Sequence, residues 1–316
     1  MKSRRTFLKQ SALGAMAIST PCLGVFAADH PFASNREDLK ISLAQWSLHR
    51  SLEKGELKAD DFPRIARETF GIGAVEYVNQ FYRGYTGRPD LWKKLRRQAD
   101  SEGVQSLLIM VDGEGELGSA DPMERTVAVH RHGIWLEAAV ILGCHSIRVN
   151  AFGPGTRPDL KNALVDGLGR LAEIGADMRI NILIENHGYH TSDAAFMVDI
   201  IREVDNPYLG TLPDFGNWCL NKAWGSTQGG NCTESYDPVK GVSEFLPYAK
   251  GVSAKSYDFD SDGQETLLPY RTLLQKVKDS GFTGHIGIEY EGSRLSEPEG
   301  IRATRALIQK VWTELD

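Results

Sequence analysis

Three carboxylates stand at the ends of late apolar segments: Glu185 in INILIENHG, Asp214 in LGTLPDFGNW and Glu289 in GHIGIEYEG. Each follows a short β-prone run, so in an alternating β/α chain all three emerge at the C-terminal rim of a parallel sheet, where a barrel gathers its catalytic groups. Three acids converging there repel one another unless a cation lies between them. The chemistry this suits is metal-assisted work on a sugar. A carboxylate takes a proton from carbon beside a carbonyl, while a divalent ion holds the substrate oxygens and stabilises the enediolate that forms. Glu185 and Glu289 are the expected acid and base, and Glu185, Asp214 and Glu289 the expected metal ligands. Oxygen donors favour Mn, Mg or Co, and a histidine in the shell would admit Zn. Taken singly, each acid reads as readily as a strand-end cap or salt bridge; the set of three points to a site.

About eight β-like runs alternate with helical stretches and would present these groups. They are Leu39 to Leu48, Ala74 to Gln80, Val104 to Val111, Ser146 to Ala151, Asn181 to Asn186, Leu209 to Asp214, Gly251 to Tyr257 and His285 to Tyr290. Between them, Asp121 to Leu142 has Val127, Ile134, Ala138 and Ile141 at helical spacing behind an Asp-Pro start, and Ala163 to Met178 has Leu164, Leu168, Leu171 and Ile174. Gln264 to Ser280 reads as a helix stopped by Gly281. Such alternation calls for parallel strands joined by right-handed crossovers, and eight units close into a (β/α)8 TIM barrel, a single α/β domain. An open doubly wound sheet would carry a Gly-rich phosphate loop after its first strand, and here that strand ends AQWSLH. The Gly-, Asn-, Ser- and Thr-rich segment from Cys219 to about Asp237 reads as a lid or binding loop.

Residues 1–28 read as a twin-arginine export signal: Ser3-Arg4-Arg5-Thr6-Phe7-Leu8-Lys9, a mildly apolar stretch from Ser11 to Phe26, then Ala27 and Ala28. Their removal leaves a barrel over residues 29–316, in the periplasm. It also takes away Lys2, Arg4, Arg5 and Lys9 and no acid, moving the formal charge from -6 to -10. An acidic protein is a poor nucleic-acid binder. No other segment reaches the ~20 apolar residues of a spanning helix, so no stable membrane anchor is expected. Of the three cysteines then left, Cys219 and Cys232 either pair within their loop in an oxidising compartment or, with Cys144, stay small, partly buried thiols.

The motifs IENHG, LPDFGNW, GVSAKSYDFD and IGIEYEG, in this order and spacing, resemble the xylose isomerase-like TIM-barrel superfamily of sugar isomerases, ketose 3-epimerases, inosose dehydratases and endonuclease IV-type enzymes. The resemblance covers about Leu39 to Leu315. It implies a metal held by a Glu, an Asp, a His and a final Glu, which become Glu185, Asp214 and Glu289. The His is the departure, because relatives often read V-H-x-K-D where this chain reads Val252-Ser253-Ala254-Lys255-Ser256. Water then completes the shell, or His187 swings in, or the site is degenerate. Lys255 keeps the register of that motif as a candidate catalytic electrophile or charge partner. His187, on the same face as Glu185, and Asn217, three residues past Asp214, are candidate substrate contacts, and Trp46 and Trp218 (with Phe81 and Tyr82) are candidates to stack on a sugar. For each aromatic the alternative is buried packing.

The resulting expectation is a metal-dependent isomerase or epimerase of a free or glycosidic sugar. The same proton abstraction would serve a lyase, dehydratase or hydrolase acting on 3-keto-glycosides or inososes. A non-catalytic sugar-binding barrel is the reading of a different class, and stoichiometric metal would separate it. The partner is a small carbohydrate and not a nucleic acid, and barrels of this kind often pair as homodimers.

Overall fold

Runs apolar on both faces suit a parallel sheet covered by helices, and they form β1 Lys40–Ala44, β2 Ala74–Val78, β3 Gln105–Val111, β4 Ser146–Val149, β5 Asn181–Glu185, β6 Leu209–Leu212, β7 Val252–Ser256 and β8 His285–Tyr290. The structure, a computed structural model, describes residues 39–227 and 231–315. The expected export signal, residues 1–28, lies outside the described residues. Neighbours pair in the order β6-β5-β4-β3-β2-β1-β8-β7, every pair parallel. The two outer strands meet through parallel bridges at Thr211↔Ala249 and Asp214↔Ser253, with Phe215 N donating to Ser253 O at 3.0 Å, which closes the (β/α)8 barrel.

Around it lie α2 Phe62–Phe70, α3 Pro89–Ser101, α4 Pro122–Leu142, α5 Arg157–Met178, α6 Ala194–Val204, α7 Pro238–Phe245, α8 Tyr270–Asp279 and α9 Glu297–Glu314, after a short α1 His49–Glu53. Their ends follow local chemistry. Asp121 caps α4 by accepting from Met123 N, Pro122 occupies its first turn, and Gly143 stops it at φ 76. Ser296 and Glu299 form a reciprocal capping box on α9. No helix among the described residues is long and apolar enough to cross a membrane.

Four expectations shift. β1 ends at Ala44 rather than Leu48, because Gln45–Leu48 turns into a 3-10 segment whose Ser47 Oγ donates to Ile288 O (3.1 Å) and accepts from Tyr290 N (2.9 Å). α8 begins at Tyr270, not Gln264, because the Glu265 carboxylate collects the backbone N–H groups of Tyr257, Asp258, Leu267 and Leu268 and holds that stretch as a loop. α4 turns inward on Ala128, Val129, His132, Trp135, Leu136, Ala138, Ala139 and Leu142, so of the expected stripe Ala138 is buried while Val127 is left 43% exposed. That sequence carries two apolar stripes, and contact with α3, α5 and β3 selects one. In α5, likewise, Ile174 is 37% exposed and Gly175 faces in, where a Cβ would meet Ile180 O at 2.6 Å.

Strand alternation places one residue in two inside the barrel. Ala44, Val78, Leu108, Met110, Leu183 and Leu212 form the interior apolar cluster. Stepping by two along β1, β2 and β5 reaches Ser42, Glu76 and Glu185, and β4, β7 and β8 contribute Arg148, Ser253, Lys255 and Glu289, all buried.

Candidate active site

Glu185 ends β5 and Glu289 lies near the end of β8, while Asp214 follows β6 where the backbone bridges to Ser253. Asp214 is held from both sides: Asn186 Oδ1 accepts its backbone N–H (2.8 Å), and its own Oδ1 accepts from Gly216 N (2.7 Å) and Asn217 N (2.9 Å). Glu185, Asp214 and Glu289 are buried and each offers an oxygen within 4.8 Å of the others. Two cations stand among these acids. Lys255 Nζ lies 3.7 Å from Asp214 Oδ2, 3.2 Å from Glu289 Oε1 and 3.1 Å from Glu291 Oε1. Arg148 reaches Asp112 Oδ1 at 2.6 Å and Glu185 Oε2 at 2.8 Å. The Arg148 Nε and Glu185 Oε2 atoms are close as an ion pair but misaligned for a hydrogen bond, so that buried oxygen has no donor among the described residues.

Burial dominates the ionisation here. It pushes Glu185 up to about 7, against the pull of Arg148 and helped by the like charge of Glu289. It lifts Asp214 well above the carboxylate range, with Lys255 opposing and the charges of Glu185 and Glu289 adding to the rise. Glu291 goes the other way: burial opposes its charged form, but the ammonium of Lys255 outweighs it and holds its pKa low. Ser253 Oγ is 2.6 Å from Asp214 Oδ2 and 2.7 Å from Glu289 Oε2. A hydroxyl has one proton and can serve only one of these oxygens as a donor. The other contact requires a protonated carboxyl or a shared cation.

The residues therefore fit a divalent ion. Acids outnumber bases, one buried carboxylate oxygen is without a hydrogen-bond donor, and the three clustered oxygens are hard donors suited to Mg, Mn or Ca-like cations. Ser253, standing where the resemblance calls for a histidine, is hydrogen-bonded to two of the three candidate ligands.

The cluster opens into a cleft of about 280 Å³ whose polar lining includes Asp112, Arg148, His187, Glu289 and Glu291, with Trp46 and Trp224 as aromatic walls. His187 Nδ1 lies 2.7 Å from Asn150 Oδ1, an acceptor, so Nδ1 carries the hydrogen and Nε2 keeps its lone pair. Burial, with Arg148 adding, drops this imidazole to about 3, and it is neutral near pH 7. Asn150 Nδ2 in turn donates to Asp112 Oδ1 at 2.6 Å.

The other residues singled out in the sequence divide. Trp46 lines the cleft, stacks on His49 at 4.6 Å and donates from Nε1 to Glu291 Oε1 at 2.6 Å. Asn217 is buried, and its Nδ2 donates to Glu185 Oε1 at 3.2 Å, so it orients that acid. Trp218 is fully buried against Tyr236 (6.1 Å) and Phe245 (5.9 Å) and does not line the cleft; its role is packing. Tyr82 is likewise buried, donating to Ala59 O at 2.8 Å. Cys219 and Cys232 form a disulfide with Cα atoms 5.8 Å apart, and Cys144 is buried and free. Asp112, Asn150, Glu291 and Trp224 were not singled out. Glu291 had a signal, standing two residues past Glu289 and so on the same face of the chain.

A family model described as "Xylose isomerase-like TIM barrel" matches residues 63–311. Among curated proteins, the chain is 38% identical to the 3'-dehydrocarminate deglycosidase alpha subunit of Microbacterium sp, over 83% of this chain and 92% of that protein. Among solved structures, a 3-keto-D-glucoside 4-epimerase from E. coli superposes with a TM-score of 0.66 at 13% identity, covering 86% of this chain and 100% of that one. A D-psicose 3-epimerase superposes with a TM-score of 0.65 at 14% identity, covering 87% and 99%.

Proposed function

Because the chain belongs to the xylose isomerase-like TIM-barrel family, we propose that it is a metal-dependent lyase acting on 3-keto-glycosides. The observation that carries this reading is the convergence of Glu185, Asp214 and Glu289, with Glu289 lining the cleft and Glu185 buried outside its lining. Two carboxyls in unlike surroundings divide the roles of base and acid.

In a 3-keto-glycoside the C2 hydrogen lies beside the carbonyl and the aglycone departs from C1. Glu289 takes the C2 proton, and its electron pair forms the C2–C3 double bond of an enediolate. As the C3 carbonyl re-forms, those electrons make a C1–C2 double bond and the C1–aglycone bond breaks, the aglycone gaining a proton supplied by Glu185. Lys255 holds Glu289 and Glu291 in place (3.2 and 3.1 Å). Asp112 and Arg148, fixed on each other, and neutral His187 line the space for sugar hydroxyls. A divalent ion held by Glu185, Asp214 and Glu289 would supply Lewis-acid polarisation of the keto oxygen. The similarity to the alpha subunit of a 3'-dehydrocarminate deglycosidase supports elimination over isomerisation of a free sugar, which would share the first step and return the proton to carbon.

The test is reaction in deuterated water, with Mn, of a 3-keto-glucoside against a panel of ketoses. We expect release of aglycone from the former, with Glu289→Gln slowed ~100-fold or more, the scale of a lost general base, while its metal content is measured in the same sample. Deuterium beside the carbonyl of recovered ketose, without aglycone release from the glycoside, would instead establish the epimerase. Absence of aglycone release from the 3-keto-glucoside together with absence of solvent deuterium in every recovered ketose would end both readings.

A further inference from the structure

Trp224 is a large apolar side chain left 53% exposed, at the wall of a cleft that is lined also by Trp46, Val78 and Met110 and by the charged or polar Asp112, Arg148, His187, Glu289 and Glu291. Its backbone is left-handed, at φ 62, a region a bulky side chain adopts only under constraint. The constraint is visible. Gly188, after β5, and Gly225, after β6, press together so closely that a Cβ on Gly188 would meet Lys222 O at 2.3 Å and one on Gly225 would meet Gly188 N at 2.5 Å. Gly188 also bridges Ala223, Cys219 N donates to Gly225 O at 2.9 Å, and the Cys219–Cys232 disulfide closes the loop behind them. The ring thus stands edge-to-face against His187 (5.0 Å) and Phe152 (6.0 Å), leaving about half its surface to the cleft mouth.

A tryptophan held in a strained conformation to stay exposed gains little from burial, so it is not a core residue. It is an apolar plate in the same cleft as the polar groups Asp112, Arg148 and His187. Asp112, Arg148 and His187 lie on the polar side of the same cleft, where a glycosyl ring would find its hydrogen bonds, and the ring's C1 substituent then extends toward the mouth. We propose that Trp224, supported by Phe152, is the aglycone subsite, and that the enzyme takes glycosides whose aglycone is a flat aromatic ring system. The inference rests on the 3-keto-glycoside reading above for the sugar half only.

The experiment compares a naphthyl with a methyl 3-keto-glucoside and adds binding of free 2-naphthol by calorimetry, on wild type, Trp224→Ala and Trp224→Phe. Loss of an aromatic pair predicts that Trp224→Ala lowers the naphthyl-to-methyl ratio of kcat/KM by ~5- to 10-fold, through KM, and weakens 2-naphthol binding by a similar factor. Trp224→Phe recovers most of both, which a merely unfolded loop would not allow. Equal losses on both glycosides would overturn the proposal in favour of stacking on the sugar itself. Unchanged 2-naphthol binding in Trp224→Ala would overturn it outright. If wild type turns over neither glycoside while Trp224→Ala still loses 2-naphthol, the proposed reaction falls and the aromatic subsite stands.

Discussion

Glu76 tests the electrostatics of the barrel interior more sharply than any residue at the rim. It lies on β2, 2% exposed, with Oε1 accepting from Ser42 Oγ at 2.6 Å and Oε2 without a partner among the described residues. The space it occupies exists because residue 287 is glycine, where a Cβ would come within 2.6 Å of Oε1. Burial, offset in part by the Ser42 bond and increased by the charges of Glu289 and Glu185, raises its pKa from the ordinary 4.5 to about 7. In the folded protein it keeps its proton to near pH 7, whereas in the unfolded chain it loses it near 4.5. Between those values the native state binds more protons, so stability must fall as pH rises. At about 1.4 kcal/mol per pH unit the loss approaches ~3 kcal/mol at pH 8 and is absent below pH 4.5. Glu76→Gln removes the titration while keeping the shape. Urea unfolding in chelator from pH 5 to 8 should show the wild type losing stability relative to the variant by about that amount, the variant being the more stable at pH 8. Saturating Mn should shrink the difference, because neutralising the rim carboxylates removes their share of the rise. If the two proteins give parallel profiles over this range, Glu76 does not carry the proton assigned to it.

Asp214→Ala should abolish the gain in melting temperature that Mn gives the wild type, a gain worth ~2.7 kcal/mol at a hundredfold excess over Kd; an undiminished gain would place the ion elsewhere. Ser253→His exchanges a hydroxyl that touches two candidate ligands for an imidazole, so competition between metals, read by elemental analysis, should move toward Zn over Mn by at least about tenfold. An unmoved ratio would mean that position 253 does not face the ion.

How far the sequence could be read follows from where strand alternation keeps its phase. Within a paired strand the side-chain period is two, so Glu185, Lys255 and Glu289 could be aimed at the barrel interior once their apolar runs were recognised, and the structure aims them there. Asp214 lies two residues beyond the last residue of β6, yet the bridge Asp214↔Ser253 carries the ladder on to it. Beyond that bridge the chain turns through Gly216, the phase is lost, and Asn217 and Trp218 diverge: one onto Glu185, the other into a nest of aromatic rings. Neither outcome is written in the residue types. Helix faces fail for a related reason, since α4 holds apolar residues on two stripes and only its packed neighbours decide which is buried. Asp112 and Asn150 enter the site through hydrogen bonds to partners 36 and 38 residues apart in sequence, and Trp224 enters it through a disulfide and the close approach of two glycines. The acids that could do the chemistry are therefore readable along single strands. The groups that would choose the substrate are not, because they are placed by contacts between one loop and the next.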